Sequence, residues 1–281
     1  MKTLFFKCGF LFWATGLLIS CHTGTQIVSE NKIQFDSLFV DMSYHLLGVD
    51  SNPKCSLQIA FIYPVDYKNK ETLNLVQQQF VSGFFGDEFI DFSPKEVVEK
   101  YSENYLATYK AEEANFKRER ENHESGMLKS WYSYHESSHN QVVYNRNDII
   151  SFVNFTESYF GGAHGSHQYI NRVIDLKTGR RITENDIFID GFSDDLAKII
   201  VDEIALANKV EVSDLENIGF FSVNEIYPNQ NFYVDDTGIT YTFNEYEIAA
   251  YVVGPVSVKI PYEKLLLLLR KESPITIFIF R

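Results

Sequence analysis

Polar and apolar residues alternate from residue 33 onward. Phe39, Asp41, Ser43 and His45 fall on one side and Val40, Met42, Tyr44 and Leu46 on the other, so a strand is predicted over residues 33–45. A second strand is expected over 56–63, with Cys55 on its apolar face. The period then lengthens. A helix is predicted over 71–85, closed by Gly86. Another starts at Ser93-Pro94-Lys95-Glu96, where Ser93 can cap, Pro94 suits the first turn and Glu96 completes a capping box. Val97, Val98, Tyr101, Tyr105 and Tyr109 share one helical stripe. Past Ala111 this helix is expected to continue, strongly charged, through Glu124 to Gly126, as a solvated face.

Strands are expected at 127–137, 141–144 and 149–159. In the last, Ile149, Ser151, Val153, Phe155 and Glu157 alternate with Ile150, Phe152, Asn154, Thr156 and Ser158. A glycine-rich turn at 161–165 leads into a strand at 169–176, and Lys177-Thr178-Gly179 turns the chain. Thr183 caps a short helix reaching Phe188. Helices follow at 194–208 and 212–218, and a hairpin pairs 231–234 with 239–243 across Asp235-Asp236-Thr237-Gly238. A strand at 256–261, a helix at 262–271 that buries the leucines of 265–269, and a last strand at 275–280 complete the reading. The fold class is α+β, with antiparallel sheets, helices packed on one side and two sequential subdomains, 30–165 and 166–281.

The first twenty residues have the plan of a secretory signal, with Lys2 and Lys7 before an apolar run too short to span a membrane. Leu18-Ile19-Ser20-Cys21 forms a bacterial lipobox. The expectation is removal of residues 1–20, lipidation of Cys21 and a short polar tether over 21–29, placing the protein in the cell envelope, lipid-anchored and facing the periplasm or exterior. The chain carries 25 basic and 38 acidic residues, formal charge −13. Loss of Lys2 and Lys7 leaves 23 against 38, or −15. Such a chain repels nucleic acid and suits a cationic partner. With Cys8 removed and Cys21 acylated, Cys55 is the sole thiol. No intramolecular disulfide can form, and Cys55 reads as a buried structural residue.

Several segments in order carry a family resemblance: Tyr159-Phe160-Gly161-Gly162-Ala163-His164-Gly165; Asn171-Arg172-Val173-Ile174-Asp175-Leu176-Lys177-Thr178-Gly179-Arg180; Ile182-Thr183-Glu184-Asn185-Asp186-Ile187-Phe188; Phe243-Asn244-Glu245-Tyr246-Glu247-Ile248-Ala249-Ala250-Tyr251; then Gly254 and Ile260-Pro261-Tyr262. The order resembles the extracellular domain of the lysozyme-sensing anti-sigma factor RsiV and the non-catalytic N-terminal region of the peptidoglycan deacetylase PdaC. It covers 159–269 firmly and 33–155 more weakly. A lipobox stands where RsiV-like sensors have a sigma-binding segment and a span, and no separate deacetylase domain follows. The resemblance therefore implies an envelope-facing role, binding a lysozyme-like protein or cell-wall glycan.

His164 and His167 are three apart, and His135 and His139 four apart. Imidazoles at such spacing can ligate zinc, but neither pair lies in a His-Glu-x-x-His helix. On a strand His135 and His139 would share a face with ring nitrogens poorly placed for one ion, so no metal or cofactor is expected. His164 reads as a turn residue bonded to local backbone, or as part of a binding loop with Gly161, Gly162 and Gly165, whose glycines serve positive φ or close backbone approach. Tyr246, Glu247 and Tyr251 offer ring faces and a carboxylate for sugars or basic side chains, or else a packed corner. Glu245 and Glu247, two apart on a strand, would share a face, but nothing marks one as an acid. No catalytic residue is assigned. The expected function is a non-enzymatic binding or sensing module. The alternatives are a peptidoglycan-modifying enzyme using His164 and a carboxylate, and a structural lipoprotein of a larger envelope complex.

Overall fold

The computed structural model describes residues 31–279. The signal segment, Cys21 and the tether lie outside the described residues. A six-stranded sheet is built from Gln34–His45 (β1), Lys54–Asp66 (β2), Tyr134–Arg146 (β3), Ile149–Phe160 (β4), Ser166–Asp175 (β5) and Arg180–Arg181 (β6), in spatial order of sequence. Only β2 and β3 run parallel, because Lys70–Phe85 (α1), Pro94–Ala111 (α2), Glu113–Glu119 (α3) and Ser125–Tyr132 (α4) lie between them. A second, three-stranded antiparallel sheet contains Phe232–Val234 (β7), Gly238–Phe243 (β8) and Val256–Pro261 (β9), with Ser193–Asn208 (α6) packed on it. Two four-residue helices, Glu184–Ile187 (α5) and Tyr262–Leu265 (α7), flank this unit. The architecture is α+β with two domains.

Local chemistry explains the helix starts. Asn69 accepts the Thr72 N–H (3.1 Å) to cap α1, and Ser93 and Glu96 form the expected capping box on α2. Gly86 ends α1 at φ 111°, a conformation that favours glycine. Leu57, Ile59 and Phe61 of β2 and Phe152 of β4 face α1 and α2, where Phe80 stacks on Phe152 at 4.0 Å. Val97 and Val98 are buried in that core, Tyr101 and Tyr105 pack against it, and Tyr109 is buried beside Cys55, whose thiol is pushed up by burial.

Strand β4 feeds two cores. Ile150 and Phe152 point to the α1–α2 side, whereas Ile149, together with Val173 of β5, packs under the three-stranded sheet. The division expected at 165/166 therefore falls inside the hydrogen-bonded β4–β5 hairpin, and residues after 165 complete the first sheet.

Other expectations are corrected. The charged helix breaks at Glu112, and 127–132, read as the start of a strand, belongs to the helix Ser125–Tyr132. Leu128 and Tyr132, four apart, pack on one face with Phe116 and Tyr109. One long strand, β3, replaces the two short ones expected up to residue 144. The segment Pro274–Phe278 is a 3-10 helix rather than a strand. Its buried residues Ile275 and Phe278 are three apart, and Ser273 accepts the Ile275 N–H (3.4 Å) at its start. Of the leucines at 265–269, Leu265 and Leu268 are buried but Leu267 is 92% exposed, since the helix there is a single turn.

Candidate functional site

The candidate site lies at the Tyr159 end of β4. There the glycine-rich turn and the segment after β8 meet above the sheet face that α1 and α2 leave uncovered. A cleft of about 480 Å³ is lined by Lys54, Ser56, His135, Glu157, His167 and Tyr251, with Tyr134 and Tyr159 beside them.

The 244–251 segment is held rigidly. Asn244 acts as one more peptide unit, accepting the Tyr169 N–H (2.7 Å) and donating to the Tyr169 carbonyl (3.0 Å). Buried Ile248 and Ala249 anchor its far end, with the Ile248 carbonyl accepting from Phe221 N–H. Between these fixed points Tyr246 adopts φ 66°, left-handed backbone that tyrosine rarely occupies, and the residue is 56% exposed.

The glycines behave as geometry demands. Gly161 (φ 84°) passes so close to the Trp131 carbonyl that a Cβ would sit 2.6 Å from it. A Cβ on Gly165 would meet the Ser158 carbonyl at 2.9 Å. Gly162 has φ 104° and open space around it, and its carbonyl accepts the Tyr159 hydroxyl (2.9 Å). His164 Nδ1 donates to the Gly165 carbonyl (2.8 Å), as expected of a turn residue bonded to local backbone. Its ring stacks on Tyr251 with centroids 4.1 Å apart, and Tyr246 stacks on Tyr251 at 5.7 Å. The Tyr251 hydroxyl donates to the Gly165 carbonyl (3.1 Å). Its pKa is pushed up by burial and then by the charges of Glu245 and Tyr246.

Of the residues singled out in the sequence, His164, Gly165, Tyr246 and Tyr251 come together, with Gly161 and Gly162 shaping the turn beneath. Glu247 does not join them. It is exposed and accepts from Asn229 Nδ2 (2.9 Å) on another side of the loop. Glu245 and Glu247 do not share a face, because β8 ends at Phe243 and the chain turns through Tyr246. Glu245 instead reaches His167, at 2.7 Å from Nδ1 and 3.1 Å from the backbone N–H, with only 7% of its side chain exposed. This pair, 78 residues apart in the chain, has no local sequence signal. His135 and His139 do share a face of β3. His135 Nε2 lies 3.9 Å from a Glu157 oxygen, and His139 packs against Phe155 at 5.1 Å. Among the described residues no three His, Cys, Asp or Glu side chains are grouped to hold a metal ion. The assembled site therefore offers aromatic rings, the Glu157 carboxylate and hydroxyls around an open cleft.

Comparison with known proteins agrees with the resemblance read from the sequence. The family model described as "Protein of unknown function (DUF3298)" matches residues 185–263, and the model described as "Deacetylase PdaC" matches 51–167. No curated protein matches the chain. A DUF3298-family protein of solved structure from Pseudomonas aeruginosa PAO1 shares 14% identity over 87% of this chain and 97% of its own, with a TM-score of 0.61, a likeness of fold alone. A member of the same family from Bacteroides fragilis NCTC 9343 is 30% identical over 90% of this chain and 99% of its own, with a TM-score of 0.83. Identity at that level over nearly the whole of both chains means that this chain belongs to the DUF3298 family.

Proposed function

We propose that the protein is a lipid-anchored module of the bacterial envelope that binds cell-wall glycan without chemically altering it. The observation that carries the reading is the Tyr246–Tyr251–His164 ring stack, whose Tyr251 lines the cleft together with the carboxylate of Glu157. Sugar rings present apolar C–H faces to aromatic rings and hydroxyls to carboxylates and amides, and the cleft supplies both. The match of residues 51–167 to a model named for a deacetylase, PdaC, is compatible with a glycan ligand.

The place where the chain enters the fold supports the same reading. Asn31 donates to the Asn145 side chain and the Ile149 carbonyl and accepts the Asp148 N–H. It is thereby pinned at the Ile149 end of β4. The cleft lies at the other end of this twelve-residue strand, roughly 35 Å away at about 3.3 Å per residue. An anchor at Cys21 would hold the cleft away from the membrane.

The test is calorimetric titration of the mature chain with muropeptides and N-acetylglucosamine oligomers. Saturable binding that Tyr251→Ala weakens about tenfold is expected. Absence of binding to either would sink the reading. The acidic charge favours a second ligand, a cationic lysozyme-like protein. Lysozyme binding that falls steeply with salt and is independent of Tyr251 would favour it over glycan.

One observation favours catalysis. Glu245 orients His167 through Nδ1, an arrangement that suits a general base. Deacetylation and hydrolysis assays on the same oligomers, with His167→Gln as control, separate an enzyme from a binder.

A further inference from the structure

We propose that the uncovered face of the six-stranded sheet is a platform for a linear, uncharged or amine-bearing glycan chain, which crosses the strands and enters the cleft; this rests on the glycan reading above. The platform follows from strand register. Phe39 of β1 lies opposite Ala60 of β2, Ala60 opposite His139 of β3, His139 opposite Phe155 of β4, and Phe155 opposite Tyr169 of β5. Directly opposed residues share a face, so these five form one row across five strands. Phe39 is 74% exposed, His139 is exposed, and Phe155 and Tyr169 are half-buried. The rings from His139 onward are in contact, at 5.1 Å to Phe155 and 4.9 Å from Phe155 to Tyr169. Ala60 leaves a dip between Phe39 and His139. With strands about 4.8 Å apart, the row runs roughly 19 Å, too long for one sugar ring.

The next row, two residues nearer the cleft, contains Asp41, Gln58, Ser137 and Glu157, also in register, and ends at His167. An aromatic row is thus flanked by a row of hydrogen-bonding groups. The helices α1 and α2 pack on the opposite face, and the three-stranded sheet covers the corner from Ser151 and Val173 to Asn171, which is buried and donates to Thr242.

This chemistry selects the occupant. An apolar protein surface or a lipid would strip water from Asp41, Gln58 and Glu157 without pairing them. A polyanion would be repelled by the same carboxylates and by the net charge of −13. A glycan chain places ring faces over the aromatic row and hydroxyls, amides or amines against the polar one. Tyr169 joins platform to cleft, since Asn244 of the cleft's rigid segment is bonded to its backbone.

The test is chain-length dependence. The full chain is titrated with trimeric and hexameric N-acetylglucosamine, with Phe39→Ala beside the parent. The expected result is a hexamer affinity at least about tenfold above that of the trimer, most of which Phe39→Ala removes while trimer affinity stays unchanged. Phe39 is on the surface, and a far-ultraviolet spectrum confirms that the variant folds; His139→Ala provides a second variant on the row. Equal affinities for the two oligomers, or a Phe39→Ala loss equal for both, overturns the platform and leaves the cleft reading standing. Binding of neither oligomer overturns both.

Discussion

The carboxylate of Glu245 grips His167 at two points, the ring Nδ1 (2.7 Å) and the backbone N–H (3.1 Å). Glu245 lies in the connection between β8 and β9 of the three-stranded sheet and His167 is the second residue of β5 in the six-stranded sheet, so the contact clamps the two units together at the mouth of the cleft. Removing a nearly buried acceptor leaves its donors unpaired. Glu245→Ala is expected to lower unfolding free energy by about 2 kcal/mol in urea titration. Glu245→Gln, which retains an acceptor oxygen, should cost less.

Tyr246 separates stability from binding. Its left-handed backbone costs about 1 kcal/mol or more in a residue with a Cβ. The residue is mostly exposed, so little packing is lost on truncation. Tyr246→Gly should therefore unfold at an equal or higher temperature than the parent while binding oligomers more weakly. A variant that is destabilised by more than about 1 kcal/mol would show that the ring is a structural plug.

Ser151 is fully buried where the two sheets meet. Its Oγ donates to the Val234 carbonyl (2.7 Å) and accepts the Val234 N–H (3.2 Å), serving as the cross-link between β4 and β7. Ser151→Ala should cost about 1–3 kcal/mol, because both backbone groups lose their partner away from water. Urea unfolding followed by far-ultraviolet signal measures the loss.

Glu136 gives a pH dependence with a definite sign. It is buried on the helix side of β3 and accepts the Tyr101 hydroxyl (2.7 Å), with Ser138 Oγ more distant (3.4 Å). Burial pushes its carboxyl above the ordinary value, and the two hydroxyl donors offset this only in part. The folded protein then keeps a proton that the unfolded chain releases. Between the ordinary carboxylate range and the raised value, this group's contribution to stability falls as pH rises. Glu136→Gln keeps an acceptor for Tyr101 and removes the charge. It should melt higher than the parent near pH 7, with the advantage shrinking toward about pH 4.

Elements whose periodicity is self-contained were legible from the residues. The strand alternation at Phe39–Asp41–Ser43, the capping box at Ser93 and Glu96 and the tyrosine stripe on α2 are local consequences of side-chain spacing. Misread segments had a pattern open to two periods. Leu128 and Tyr132 sit among alternating polar residues, and packing against Phe116 decided for helix. Ile275 and Phe278 look like strand residues until their three-residue spacing finds the core beside Tyr262.

Composition and the order of motifs alone set the acidic charge and the family. They also marked the glycine turn and the tyrosine segment as places to examine. Only the tertiary structure decided that His164 stacks on Tyr251, that Glu245 turns to His167 while Glu247 turns to Asn229, and that Phe39 lines up with His139 and Phe155. The physical reason is range. Helix caps and strand faces are fixed by residues within about four positions. A cleft joining residues 78 apart is fixed by which sheet edges pair and which faces remain uncovered, and no local spacing encodes that.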